Sequence, residues 1–237
     1  MQSIPFPPPS GEIEGAGGRK FVLGDIHGEL EKLVGVFELS SFDMENDLLI
    51  QVGDICDRGK SSYEVVELLM KCKNLILIEG NHDQWLKAYM NSTVRGLDAM
   101  WVQQGAKTTL DSYARHHLDP LVHQQFYSRQ VPYYVDEANN CFVHGGFNRE
   151  YKIAEQDMES LAWDRNLVNK MMGCAPGQKL KTADNFNHIY IGHTPTIYWN
   201  ETKPITRGGV TNIDTGAGKG GMLTMMNVET HEYWQSY

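Results

Sequence analysis

Five times along this chain of 237 residues, a short apolar run gives way to a polar side chain of ligand type beside a glycine. Phe21-Val22-Leu23 runs into Gly24-Asp25-Ile26-His27-Gly28. Leu48-Leu49-Ile50-Gln51-Val52 runs into Gly53-Asp54-Ile55-Cys56-Asp57-Arg58-Gly59. Leu75-Ile76-Leu77-Ile78 leads to Gly80-Asn81-His82-Asp83, Cys141-Phe142-Val143 to His144-Gly145-Gly146, and Ile189-Tyr190-Ile191 to Gly192-His193-Thr194-Pro195. Runs this short, rich in branched and aromatic residues, predict buried strands. The constraint on the fold is strong, because all five strands must end at a place where such polar residues are useful together.

The segments between the strands set the topology. Leu30, Leu33, Val34 and Phe37 recur at helical spacing between the first two strands, and Val65, Val66, Leu68 and Leu69 do so between the next two. Strand, helix, strand, helix, strand predicts a βαβ layout with right-handed crossovers, and hence an α/β fold. Residues 84–129 read as helical, with Trp85, Leu86, Met90, Leu97, Trp101, Leu110 and Tyr113 as apolar positions, and as an insertion at one edge of the site. After Thr206, Val210 to Asp214, Met222 to Val228 and Glu232 to Trp234 predict consecutive strands and a hairpin-like end to the chain. Residues 1–20 hold four of the nine prolines and lack apolar periodicity, so they read as a flexible Pro/Gly-rich tail, with one domain over 21–237.

In open α/β sheets, side chains just past the carboxyl ends of strands converge on one crevice. There, Asp25, His27, Asp54, Asn81, His144 and His193 form a set of nitrogen and oxygen donors, an inventory that suits metal ions. Six donors are too many for one catalytic ion but fit a pair about 3.5–4 Å apart that share a carboxylate. Asp54 is the expected bridge, with Asp25 and His27 on one ion and Asn81, His144 and His193 on the other. Manganese, iron and zinc all accept such donors; magnesium fits three imidazoles less well. A water between two cations loses a proton near neutral pH and becomes a nucleophile. Arg58 is suited to clamp phosphate oxygens bidentately, Asn81 and Arg165 stand as further phosphate contacts, and His82 is the expected general acid, oriented by Asp57.

Composition narrows the partners. The net charge of −9 would repel a polyphosphate backbone, so no nucleic-acid partner is expected. No apolar run approaches the roughly 20 residues needed to cross a bilayer, no secretory leader is evident, and four cysteines without CxxC spacing read as free thiols. These features point to the cytoplasm.

The ordered blocks GDxHG, GDxxDRG, GNHD, HGG and GHTP resemble the metal-dependent serine/threonine phosphoprotein phosphatases of the calcineurin-like metallophosphoesterase superfamily, above all their compact bacterial and phage branch. The resemblance spans nearly the whole chain after the tail. It implies a two-layered α/β/β/α sandwich and two divalent cations, with manganese the first choice. It further implies a phosphoprotein or phosphopeptide substrate, attacked directly by a metal-bridging hydroxide without a phosphoenzyme. Asp57, Arg58 and His82 match the family's catalytic positions, Arg165 matches an arginine of the bacterial pattern, and Asp214 matches a supporting edge of the site. Motifs by which larger members bind regulators are absent, so no regulatory subunit is inferred.

Two rivals remain. A symmetrical dinucleoside polyphosphate (diadenosine tetraphosphate) hydrolase on the same scaffold would lack Asp57 and read HAG and GHW in the later blocks. A non-catalytic scaffold would have lost ligands or the acid, and none is missing. Blander readings hold elsewhere: His116, His117, His123, His188 and His231 read as solvated, Cys56 as an inert packed thiol, and Trp85, Trp101 and the methionines as core. Any one of the six donors is equally a helix cap or a satisfied core group, but capping does not explain five strand ends.

Overall fold

The computed structural model describes residues 18–92 and 96–237. Three parallel strands open the fold: β1 (Lys20–Leu23), β2 (Leu48–Gln51) and β3 (Asn74–Leu77), joined by helices α1 (Leu30–Ser40) and α2 (Ser62–Leu69). The alternation of parallel strands and helices is the one the sequence predicts, since parallel neighbours need a long connection and a helix is the usual one. Residues 1–17 of the expected tail lie outside the described residues. Lys20 already belongs to β1, and the Arg19 guanidinium is 2.7 Å from the Asp47 carboxylate.

The helical middle follows as α3 (Asn81–Asn91), α4 (Ala99–Gln104), α5 (Ala106–Arg115) and α6 (Gln124–Ser128). A second series of strands then begins: β4 (Tyr133–Val135), β5 (Asn140–Val143), β6 (His188–Ile191), β7 (Ile205–Arg207), β8 (Val210–Asn212), β9 (Leu223–Asn227) and β10 (Tyr233–Ser236), with α7 (Asn166–Met172) between β5 and β6. Two five-stranded mixed sheets result, in the orders β10-β9-β1-β2-β3 and β4-β5-β6-β8-β7.

Alternation along each strand explains why the sheets stack. In β1, Phe21 and Leu23 face a core shared with Leu33, Val36, Val65 and Leu69, while Val22 faces the opposite way. In β5, Cys141 and Val143 meet Leu167, Val168 and Met171, while Phe142 faces the other sheet. Successive side chains point to opposite faces, so every strand apolar on both sides needs two partners. The outcome is a helix–sheet–sheet–helix sandwich in one domain, with a middle core that includes Ile50, Ile76, Phe142, Tyr190, Ile213 and Met226.

Three sequence expectations need correction. β8 and β9 are not partners: β8 lies between β6 and β7, whereas β9 pairs with β1 in the other sheet, so only β9 and β10 form a hairpin. The glycine-rich stretch 216–221 therefore passes from one sheet to the other. His123 is 3% exposed, not solvated; its ring nitrogens contact the Tyr113 hydroxyl at 2.7 Å and the Glu67 carboxylate at 2.9 Å. His188, also expected in solvent, is partly buried, and its Nε2 pairs with the Thr211 hydroxyl at 2.8 Å. Among the described residues no helix is long and apolar enough to cross a membrane.

The middle core makes a direct prediction. Phe142 is fully buried and stacks on Tyr190 with centroids 4.9 Å apart and planes 6° from parallel. Phe142→Ala should cost about 3–5 kcal/mol in urea denaturation, through lost transfer energy and an unfilled cavity. A loss below about 1 kcal/mol would mean that the two sheets are not held together at this point.

Candidate metal centre

The turns after β1, β2, β3, β5 and β6 all open on one crevice at the strands' carboxyl ends. Their backbone is unusual. His27, Asp54, Asp57, Arg58 and His193 have φ of 50°, 58°, 72°, 64° and 67°, in the left-handed region that residues other than glycine seldom occupy. Each such residue costs on the order of 1–3 kcal/mol and persists only where its surroundings fix it. Neighbouring glycines are needed for space. A Cβ on Gly80 would come within 2.2 Å of Asp54 Oδ1, and one on Gly192 within 2.1 Å of Asp25 Oδ1.

Asp54 is the centre of the cluster and 2% exposed. Its Oδ2 lies 3.5 Å from His27 Nε2 and its Oδ1 lies 3.4 Å from His144 Nε2. Two triads whose ligand atoms lie within 4.8 Å of one another share this carboxylate: His27, Asp54 and His82, and Asp54, His144 and His193. Asn81 Oδ1 is 3.2 Å from His144 Nε2, so it joins the second group. Asp25 falls in neither triad; its carboxylate accepts the backbone N–H of His193 at 3.0 Å. The sequence reading grouped Asp25 and His27 with the bridging Asp54; the triad around His27 and Asp54 also brings in His82. Arg165 sits at the exposed rim, where its guanidinium donates to the Thr194 hydroxyl at 2.8 Å.

The imidazoles are oriented from behind. His27 Nδ1 contacts the Cys56 carbonyl and His144 Nδ1 the Val52 carbonyl, both at 2.8 Å. A ring nitrogen that donates to a carbonyl leaves the other nitrogen's lone pair facing the crevice, the usual arrangement for a histidine ligand.

Three observations test whether this donor set suits cations. First, His193 Nε2 is buried with no hydrogen-bond partner among the described residues, although such atoms are nearly always satisfied. Second, buried carboxylates crowd one another. Burial and Asp214 push the Asp25 carboxyl well above its ordinary range, while Asp214 itself is pushed up to about 6, chiefly by burial and then by Asp54. Third, the histidines divide sharply. Burial is outweighed at His144 by Asp54 and Asp25, which raise it to about 10, whereas burial and His144 drive His193 down to about 2. Acids that repel one another and an imidazole forced neutral are what divalent charge would relieve, and the residues fit a binuclear centre.

A second cluster adjoins the first. His82 Nδ1 lies 2.6 Å from Asp57 Oδ2, and the Arg58 guanidinium reaches both His27 Nε2 and His82 Nε2. Asp57 is fully buried, and its other bonds come from the helical insertion: Trp101 Nε1 donates to Oδ2 at 2.8 Å, and the Thr109 hydroxyl donates to Oδ1 at 2.7 Å. Trp101 therefore does more than fill the core, and the insertion holds the Asp57–His82 pair.

Sequence reasoning left Asp83 without a role, although GNHD contains it. Its Oδ2 accepts the N–H of Asp54 at 2.9 Å, the N–H of Gly80 at 3.1 Å and Gln130 Nε2 at 2.8 Å, and its Oδ1 accepts the N–H of Ile55 at 3.0 Å. The strained turn at Asp54 is pinned by this one carboxylate. Its position at the third residue of α3 was the available signal, since an acid there commonly reaches back to backbone amides.

Comparison with known proteins gives a consistent result. The family model described as calcineurin-like phosphoesterase matches residues 19–203. The chain is 26% identical to serine/threonine-protein phosphatase 1 of Salmonella typhimurium, covering 88% of this chain and 91% of that protein. It is 25% identical to the symmetrical bis(5'-nucleosyl)-tetraphosphatase of Pseudomonas fluorescens, covering 90% and 92%. A crystal structure described as a candidate diadenosine tetraphosphatase shares the fold with a TM-score of 0.68 at 19% identity, covering 92% of this chain and 93% of that one.

Asp83→Asn should destabilise the protein by about 2–3 kcal/mol in denaturant titration. Whichever way the amide turns, its NH2 group faces a buried backbone N–H. Stability equal to the parent's would show that Asp83 does not pin the turn.

Proposed function

The chain belongs to the calcineurin-like phosphoesterase family, and from that premise we propose that it is a metal-dependent phosphomonoesterase acting as a serine/threonine protein phosphatase. The observation that carries this reading is the Asp57–His82 pair, 2.6 Å apart, standing beside two His/Asp triads that share Asp54. An acid poised next to a binuclear centre suits the transfer of a phosphoryl group from an alkyl oxygen, which leaves poorly unless it is protonated.

In this proposal Asp25, His27 and Asp54 hold one cation, and Asp54, Asn81, His144 and His193 hold the other. Manganese is the first choice, because the set mixes imidazole with hard oxygen donors and contains no thiolate. Two divalent ions there supply charge neutralisation and water of near-neutral pKa. The chain's own side chains do the rest. Arg58, which spans His27 and His82, donates to the phosphate oxygens, and Asn81 and Arg165 contribute further bonds. Asp57 accepts from His82 Nδ1, which leaves Nε2 facing the crevice to pass a proton to the leaving oxygen. Trp101 and Thr109 hold Asp57 so that this proton-bearing edge keeps its direction.

A second reading has specific support, because the curated relatives divide between protein phosphatases and dinucleoside polyphosphate hydrolases at nearly equal identity. Asp57, His144-Gly145-Gly146 and Thr194-Pro195 after His193 favour the phosphoprotein side. Turnover of p-nitrophenyl phosphate, a phosphoserine peptide and diadenosine tetraphosphate, with and without manganese, separates the readings. The phosphopeptide should be cleaved faster than the dinucleotide; a preference for the dinucleotide would reverse the assignment, and no metal-stimulated turnover at all would support a scaffold.

His82→Asn should slow phosphoserine hydrolysis by about a hundredfold or more with metal content unchanged, while Asp54→Asn should lose both metal and activity. Parent-like cleavage of phosphoserine by the histidine variant would remove His82 from the role of acid.

A further inference from the structure

The helical insertion grips Arg58 as well as Asp57. Gly105, the joint between α4 and α5, has φ of 116°, and a Cβ there would come within 2.7 Å of the Arg58 backbone nitrogen and 3.2 Å of its Cγ. Only glycine allows so close an approach in that conformation. One residue earlier, Gln104 Oε1 accepts from the Arg58 guanidinium at 3.4 Å. Helix α4 is fixed independently of this contact. The Asp98 carboxylate caps it by accepting the backbone N–H groups of Met100 and Trp101, and Trp101, itself buried, is anchored on Asp57. Gln104 follows Trp101 by three residues, which sets the two side chains next to each other on the helix.

Arg58 needs such a support. Among the described residues its guanidinium contacts His27 Nε2, His82 Nε2 at 2.9 Å and Gln104 Oε1. In the phosphatase reading the two imidazole nitrogens are spent elsewhere. His27 Nε2 faces a cation, and His82 Nε2 carries the proton for the leaving oxygen, so neither can accept a hydrogen bond from Arg58. A guanidinium sits at the end of a long, rotatable side chain, and a clamp works only when it is held in the productive geometry. Gln104 is neutral, and its oxygen stays an acceptor whatever the protonation of the histidines. It is the one of the three contacts that the proposed chemistry leaves in place.

We propose that Gln104 is a positioning residue: its side-chain oxygen, delivered by the Gly105 joint, holds the Arg58 guanidinium in place for the phosphate once His27 and His82 no longer accept from it. The proposal rests on the phosphatase reading above and adds a residue that acts only through Arg58. The insertion then orients both parts of the site's metal-free chemistry, the acid through Asp57 and the phosphate clamp through Arg58. Trp101, Thr109 and Gln104 come from two consecutive helices, so the Asp57–Arg58 pair is held from one side as a unit.

The test measures binding of inorganic phosphate to the metal-loaded full-length protein by calorimetry, alongside kcat/KM for a phosphoserine peptide. Gln104→Met keeps the length of the side chain and removes the acceptor. It should weaken phosphate binding about three- to tenfold, as loss of one hydrogen bond does, and lower kcat/KM by a similar factor, with metal content and thermal unfolding unchanged. In an Arg58→Ala background the same substitution should cost nothing further, because the guanidinium through which Gln104 acts is gone. An equal loss with and without Arg58 overturns the proposal by making Gln104 a direct phosphate contact or a general structural support. Parent-like phosphate binding by Gln104→Met, beside weakened binding by Arg58→Ala, also overturns it while leaving the clamp standing. Parent-like binding by Arg58→Ala removes the clamp itself from the phosphatase reading, and this proposal with it.

Discussion

The structure depends on keeping the Asp54 carboxylate ionised while it is almost wholly removed from water. Burial alone would push it toward neutrality, but His144 and His82 outweigh burial and hold it well below the usual carboxylate range. The chain makes a considerable structural investment around that anion. Asp54 itself sits in a left-handed conformation, Asp83 ties down its turn, and the backbone N–H of His82 donates to its Oδ1 at 3.0 Å. A buried charge without partners is expensive, and here His82 and Asp83 are positioned by the end of β3 and His144 by the end of β5.

The sandwich makes that convergence feasible. Strands β1–β6 and β9 each contribute apolar side chains to two cores, so the sheets are fixed both to each other and to their helices. The turns at their carboxyl ends then have little freedom. Left-handed residues survive at five positions in the crevice because the surrounding packing determines them. The helical insertion adds a further restraint by gripping Asp57 through Trp101 and Thr109, which ties the Asp57–His82 pair to a part of the chain some fifty residues away.

Much of this was legible in the sequence. The five strands with polar ends stand out because their apolar runs are short and their glycines mark sharp turns, and the two helical spacings fixed the parallel order of β1 to β3. β4 and β7 were not recognised: β4 is an apolar run, Tyr133-Tyr134-Val135, of only three residues, and β7, equally short, holds a threonine and an exposed arginine. The separation of β8 from β9 was hidden as well, because strands adjacent in sequence usually pair and nothing local marks a loop that changes sheets. His123 looked polar and exposed because its partners, Tyr113 and Glu67, lie 10 and 56 residues away. The same holds for Trp101, whose bond to Asp57 spans 44 residues, and it is a general limit: periodicity reports which face is buried, not which buried polar groups meet.

The claim that governs the rest is that both cations contact one carboxylate. A crystal soaked in manganese and measured at the metal's absorption edge tests it most directly. The account predicts two anomalous peaks about 3.5–4 Å apart with Asp54 between them. One peak, or two that lie on separate sides of the crevice without Asp54 in reach of both, would contradict it.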